Sequence, residues 1–418
     1  MATAAATTAP FDAVTYAPPK RQRVDSIDLL RGLVMVVMLL DHTRDYFSAE
    51  AFQFDPTDLS KTSVALFLTR WITHFCAPTF FFLAGTGAFL RQSRGATPAE
   101  MSRFLVSRGL WLIFLEATVI RFGISGDFFP NGAYVAQTIW ALGWSMIVLA
   151  ALVHLPLRVI GALSLAMIAV HNAFDGVHVA SCLPGKPPCG AGDVAIRLLH
   201  VSGPIALGGP HGIFLLALYP LIPWIGVMGA GYVFGKLYTL DGAVRRKALI
   251  QLGGGLVALF IVLRATNLYG DPAKWSVQPR GVAFTVLSFL NTTKYPPSLL
   301  YLCMTIGPGI LLLAFMERER RGGLGRALVT YGRVPMLFYL LQWLYAHGAA
   351  FIAYEIAGKN TAALHVLQNN PPEALKGAGF SLPVVYAFWI VGVLLIYPLC
   401  KWFAEVKKRR TDWWLSYL

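Results

Sequence analysis

The sequence predicts an all-α polytopic membrane protein, a bundle of about ten transmembrane helices with both termini cytoplasmic. Three observations carry this. Of 418 residues, 56% are hydrophobic and only 13% charged, where soluble domains carry about 25% charged residues. Long apolar stretches recur along the whole chain. The lysines and arginines gather in short clusters between alternate apolar stretches, the pattern of cytoplasmic loops.

The spans are expected at 26–45, 66–90, 104–122, 134–154, 157–173, 211–235, 248–267, 297–316, 327–352 and 381–403. Backbone at membrane depth must satisfy its own hydrogen bonds, and segments of this length do so as helices. With the N-terminus inside, the basic clusters at 20–23, 91–108, 236–247, 318–326 and 401–410 all fall on one side. An even number of spans then returns the terminal "KKRR" cluster to the cytoplasm. The expected organisation is a disordered cytoplasmic tail over 1–23, a transmembrane domain over 24–404 and a basic cytoplasmic tail over 405–418. No cleavage site for a signal peptide follows the first apolar run. The formal charge of +14 is explained by this distribution, so the expected partner is the lipid bilayer and not nucleic acid.

The first span is unusual. "DLLRGLVMVVMLLDHTRDYF" puts Asp28 and Arg31 before a short apolar run and Asp41, His42 and Asp45 after it. At 3.6 residues per turn, Arg31 and His42 are eleven apart and share a face, about 16 Å along the axis; Asp28, Met35 and Met38 lie near the same line. Ionisable groups in a span normally face a protein interior or a wet cavity and mark function. A purely structural reading is also available, in which Asp28 and Arg31 pair at i, i+3 and His42 sits at the interface. The second span adds Arg70 and His74 at i, i+4, close in depth to His42.

Other groups are less informative. Cys182 and Cys189 flank "LPGKPP" in a loop expected outside, where a disulfide between them would persist, or where both stay as free thiols. His171, Asp175 and His178 lack the spacing of a zinc motif, so no metal is predicted. No G-x-S-x-G elbow is present. Glycines 253–255 read as a close helix contact. Arg333, in "YGRVP", suits either donor phosphates or carbonyls freed by the following proline. Arg91, Arg94, Arg103 and Arg108 suit a nucleotide, although cytoplasmic charge bias already accounts for them.

"RVDSIDLLRGLVMVVMLLDH" resembles the opening motif of the transmembrane acyltransferase superfamily, and Arg31-x10-His42 resembles its acyltransferase-three branch. "THFCAPTFFFLAGTGAFL", "YPLIPWIGVMGAGYVFGK", "KYPPSLLYLCMTIGPGILLLAFMER" and "YGRVPMLFYLLQWLYAH" resemble bacterial relatives of heparan-α-glucosaminide N-acetyltransferase. At His42 the heparan enzyme has an asparagine, and there the chain follows the acyltransferase-three pattern. The resemblance implies a multi-pass protein of the bacterial inner (cytoplasmic) membrane. It implies acetyl-CoA, or another acyl-CoA, as cytoplasmic co-substrate and a sugar or glycan amine or hydroxyl as acceptor at the outer face. Oligomeric state stays open, a homodimer among the options.

On that reading His42 is a general base, or a nucleophile carrying the acyl group, with Asp41 or Asp45 orienting its ring. Arg31, Asp28 and Arg333 serve the donor, and Arg70 and His74 line the acceptor side. The alternative is a transporter or channel whose charges line a translocation path; a third reading is an inactive scaffold of the same fold.

Overall fold

A computed structural model describes the chain except for residues 1–23, 128–132, 178, 180–182, 184–188, 208–212, 318–321, 366–374, 411 and 418. The expected tail over 1–23, and Cys182 and His178, therefore lie outside the described residues. Cys189 is disulfide-bonded, whereas Cys76, Cys303 and Cys400 are free and buried.

Helix α1 spans Asp25–Phe47, 23 residues, or about 34 Å of rise. It is long enough to cross a bilayer but too charged to count as an apolar span. Asp25 and Asp28 fall in its first turn, where carboxylates complement the helix dipole. Then follow α2 (Val64–Thr73), α3 (Cys76–Gln92), α4 (Pro98–Leu115), α5 (Arg121–Ser125), α6 (Thr138–Leu152), α7 (Leu157–Ala169) and α8 (Ala191–Leu199). The second half holds α9 (Leu221–Phe234), α10 (Gly242–Thr266), α11 (Val282–Leu290), α12 (Leu299–Met316), α13 (Gly323–Arg333), α14 (Pro335–Ile356) and α15 (Leu382–Arg409). Among the described residues, six helical stretches are long and apolar enough to cross a membrane: Val64–Gln92, Leu157–Phe174, Gly242–Thr266, Leu299–Met316, Pro335–Ile356 and Leu382–Arg409.

Several expected spans are broken. The stretch 327–352 divides at Val334 because Pro335 follows, and a residue before proline is pushed out of the helical region. The stretch 104–122 carries a π segment at Glu116–Ile120 between α4 and α5. Within the stretch 211–235, residues 213–217 form a strand and not a helix. Strand β3 (Ile213–Ala217) pairs in parallel with β1 (Ala133–Ala136) and antiparallel with β2 (Gly203–Leu207), in order β1-β3-β2. A seven-residue apolar run bounded by Gly and Pro fits either class by periodicity. Here inter-strand bonds satisfy its backbone, with Ile205, Ala136 and Ala217 buried. At the chain's end, α15 runs past the expected boundary at 404, and residues 413–416 form a further short turn with Leu415 buried.

Helix α1 lies at the centre, packed on α2, α3, α12, α13, α14 and α15. Small residues bring the helices together, as expected where lipid gives little hydrophobic drive between spans. A Cβ on Gly332 of α13 would meet the Asp28 carbonyl oxygen at 1.8 Å, and one on Gly32 would meet that of Leu328 at 1.8 Å. Gly253 of α10 packs on Gly307 of α12, while Gly254 and Gly255 face open space. Gly332→Val should therefore abolish the α1–α13 contact and yield little folded protein, overpacking costing about 1–3 kcal/mol or more. Gly254→Ala should be neutral or stabilising by up to about 1 kcal/mol. Thermal unfolding of both variants in detergent checks this contrast.

Candidate active site

The charges of α1 are met by partners from other helices, in two groups. Near its start, Arg31 Nη1 donates to Asp28 Oδ1 (3.1 Å) and to the Gly332 carbonyl (3.2 Å) at the α13–α14 break. Arg333 lies 3.4 Å from Asp25 and 3.9 Å from Asp28. Of the two roles open to Arg333, bonding a freed carbonyl thus falls to Arg31 instead.

Near the end of α1, Arg70 of α2 donates to both Asp41 oxygens (2.8 and 2.7 Å). Arg44 bridges Asp41 (2.9 Å) and Asp45 (2.6 Å) and is itself 3% exposed. The expected carboxylate–imidazole pair is replaced by this arginine network. Adjacent residues on a helix point about 100° apart, so Asp41 faces Arg70 and not His42, and Asp45 is held by Arg44. The His42 ring is instead fixed by stacking on Trp343 of α14, with centroids 3.6 Å apart, and stands edge-on to Tyr339 at 6.3 Å. Its Nδ1 is buried with no hydrogen-bond partner. The imidazole is oriented by aromatic surface, which leaves its nitrogens for something else.

His74 sits where α2 breaks before α3. Its ring is 3% exposed, edge-on to Tyr301, and its carbonyl accepts from the Tyr301 hydroxyl at 2.8 Å. Arg70 and His74 are thus built into the frame around the site. Lys294 lies within electrostatic reach of Asp41, His42, Arg70's partners and His74, with Nζ 5.1 Å from the Tyr295 ring centre. Its loop is held from below. Buried Arg264 of α10 donates to the carbonyls of Ser288 (2.9 Å), Phe289 (2.9 Å), Asn291 (2.6 Å) and Ala273 (2.6 Å), satisfying the orphan end of α11. Asp271 accepts from the Thr293 amide (2.9 Å) and the Ser298 hydroxyl (2.6 Å).

A cavity of about 1210 Å³ opens beside the first group, larger than the roughly 300–1,000 Å³ of most small-molecule sites. Arg31 and Met35 of α1 line it, with Arg91, Arg94, Arg108, Arg333 and Lys407. Tyr339, Thr138 and Ile139 also line it. Tyr339 is thus common to the cavity and to the aromatic surroundings of His42. Glu116, in the π segment, accepts from the amides of Ile139 (3.1 Å) and Trp140 (3.2 Å) and so holds the start of α6 against this wall. Among the described residues no group of three or more His, Cys, Asp or Glu side chains is placed to hold a metal.

Residues 23–265, more than half of the chain, match the family model of the heparan-alpha-glucosaminide N-acetyltransferase catalytic domain. The fold and this match define a membrane acetyltransferase of the kind that acts on a sugar or glycan. The chain belongs to the heparan-alpha-glucosaminide N-acetyltransferase catalytic family. No curated protein matches it.

Sequence reasoning missed Trp343, Tyr339, Arg44, Glu116 and Lys294. Arg44 was visible inside "DHTRD" and follows Asp41 at the spacing of a helical ion pair. Trp343 and Tyr339 lie in a stretch that resembles the family but carried no signal of a role at His42, since aromatic residues at helical spacing ordinarily read as core.

Arg70→Ala should be strongly destabilising, because breaking a buried ion pair costs about 3–5 kcal/mol. Asp41→Asn combined with Arg70→Gln should recover much of that loss. Thermal unfolding of the two variants and the wild type in detergent measures it, and an Arg70→Ala protein that melts like the wild type would refute the pairing as a structural requirement.

Proposed function

We propose that the chain transfers an acetyl group from cytoplasmic acetyl-CoA to an amine or hydroxyl of a sugar or glycan at the outer face of the bacterial inner membrane. The observation that carries this reading is the cation-lined cavity that shares Tyr339 with the surroundings of His42. A coenzyme A thioester is a polyanion at one end and a thin, largely apolar arm at the other. Arg31, Arg91, Arg94, Arg108, Arg333 and Lys407 suit its phosphates, with guanidinium groups able to grip two oxygens each. Met35, Leu83 and Leu142 suit the arm. The lysine and arginine clusters favour the cavity mouth as cytoplasmic.

The chemistry follows from the position of His42. The acceptor nitrogen or oxygen attacks the thioester carbonyl carbon, and His42 takes its proton as the new bond forms. The carbon–sulfur bond breaks, and the departing thiolate takes a proton from the imidazolium. The products are the acetylated acceptor and free coenzyme A thiol. Trp343 keeps the ring in place through both transfers. In this reading Arg70, His74 and Lys294 serve the acceptor side, where Lys294 suits an acceptor oxygen. The Arg31-x10-His42 spacing, resembling the acyltransferase-three branch, supports the same division of donor and acceptor sides.

His42→Ala should lower turnover about 10²–10⁴-fold, the usual worth of a positioned general base, while acetyl-CoA binding and membrane insertion persist. Arg31→Lys keeps the charge but loses the planar fork, so its effect should fall on KM for acetyl-CoA and leave kcat nearly unchanged. Steady-state kinetics and donor binding on the purified variants separate the two effects. Full activity in His42→Ala would remove His42 from the reaction.

A further inference from the structure

The segment after α15 returns to the cavity. Arg410 Nε bonds Asp412 Oδ2 at 2.7 Å across the bend. Leu415 is 4% exposed and anchors the turn. The Tyr417 hydroxyl donates to Ser107 Oγ of α4 at 2.9 Å, and Tyr417 lines the cavity with Phe104 and Trp111. The Tyr417 ring stands edge-on to Trp111 at 6.3 Å and to Trp413 at 5.9 Å, so its plane is set on two sides. The Arg108 guanidinium lies 4.6 Å from the Phe104 ring centre and 5.7 Å from that of Tyr417, and Arg91 lies 4.0 Å from Phe104. This end of the cavity therefore alternates π-faces with guanidinium groups. Phosphates alone would need only the cations. Aromatic faces interleaved with arginine suit a planar heterocycle that carries phosphates.

We propose that Tyr417 forms part of a purine subsite, and that the chain beyond α15 completes the donor site by holding the nucleotide base of the thioester. This rests on the acetyl-CoA reading above. The expected basic tail over 405–418 then becomes part of the binding wall. Of its bulky apolar residues, buried Leu415 anchors the turn and Trp413 stands edge-on to Tyr417, so these two seat its ring. The base is recognised through its π-face and not by a hydrogen-bond pattern, so the subsite discriminates donors that carry a nucleotide from those that do not.

The test compares two thioesters on the full-length protein in detergent: acetyl-CoA, and acetyl-pantetheine, which lacks the nucleotide. Tyr417→Ala should raise KM for acetyl-CoA about tenfold, the loss of one base–aromatic stack, and leave KM for acetyl-pantetheine unchanged. Tyr417→Phe loses the Ser107 bond but keeps the ring, so it should match the wild type within about twofold on both donors. An equal rise for both thioesters in Tyr417→Ala, or no rise for either, would overturn the purine subsite and leave the donor reading standing. Wild-type protein that consumes neither thioester would overturn the donor reading, and this inference with it.

Discussion

A charged helix at the centre of a membrane bundle must have its charges matched from outside itself, and most of this fold can be read as the answer to that requirement. Helix α1 buries Asp28, His42 and Arg44 at a depth where an unpaired ion costs several kcal/mol. Arg31 matches Asp28 and then reaches Gly332, which ties α1 to the break between α13 and α14. Asp41 draws Arg70 from α2. The pairings thus fix which helices surround α1 and at what height. Glycines 32 and 332 let the backbones approach closely enough for those bonds to form.

The same requirement leaves His42 apart. Each nearby carboxylate is taken by an arginine, so the imidazole is held by the face of Trp343. A ring held through its face keeps its nitrogens for chemistry, whereas a ring held by a carboxylate has already given one away. In the proposed reaction this lets one side chain accept the acceptor's proton and return it to the leaving thiolate. The cavity supplies the other half of the division of labour: cations where the polar end of a donor would sit, apolar side chains along the arm, and Tyr339 as the shared wall.

Much of this was legible in the sequence. The Arg31–His42 face was visible from helical spacing alone, because eleven residues make nearly three whole turns. The membrane class was visible from composition, and the apolar stretches at Gly242–Thr266 and Leu299–Met316 stand close to where hydropathy placed them. Partners distant in sequence were not legible. The expectation that Asp41 or Asp45 would orient His42 came from proximity along the chain, and Arg70, 29 residues away, overrode it. Trp343 lies 301 residues beyond His42 and outside the family match at 23–265, and although it falls in a stretch that resembles the family, nothing in that resemblance tied it to His42. Strand β3 was hidden because a short apolar run has no period of its own, and the seat of Tyr417 because a basic tail reads as solvated.

If the cavity and His42 serve one reaction, a thioester is consumed in it. The direct measurement is release of coenzyme A thiol from acetyl-CoA by the purified protein in detergent, with and without a panel of amino sugars and glycans. Thiol release should depend on acceptor and match acetylated product mole for mole. Absence of thiol release with every acceptor, together with passage of an intact solute across proteoliposomes containing the protein, would contradict it and assign the charges of α1 to a translocation path.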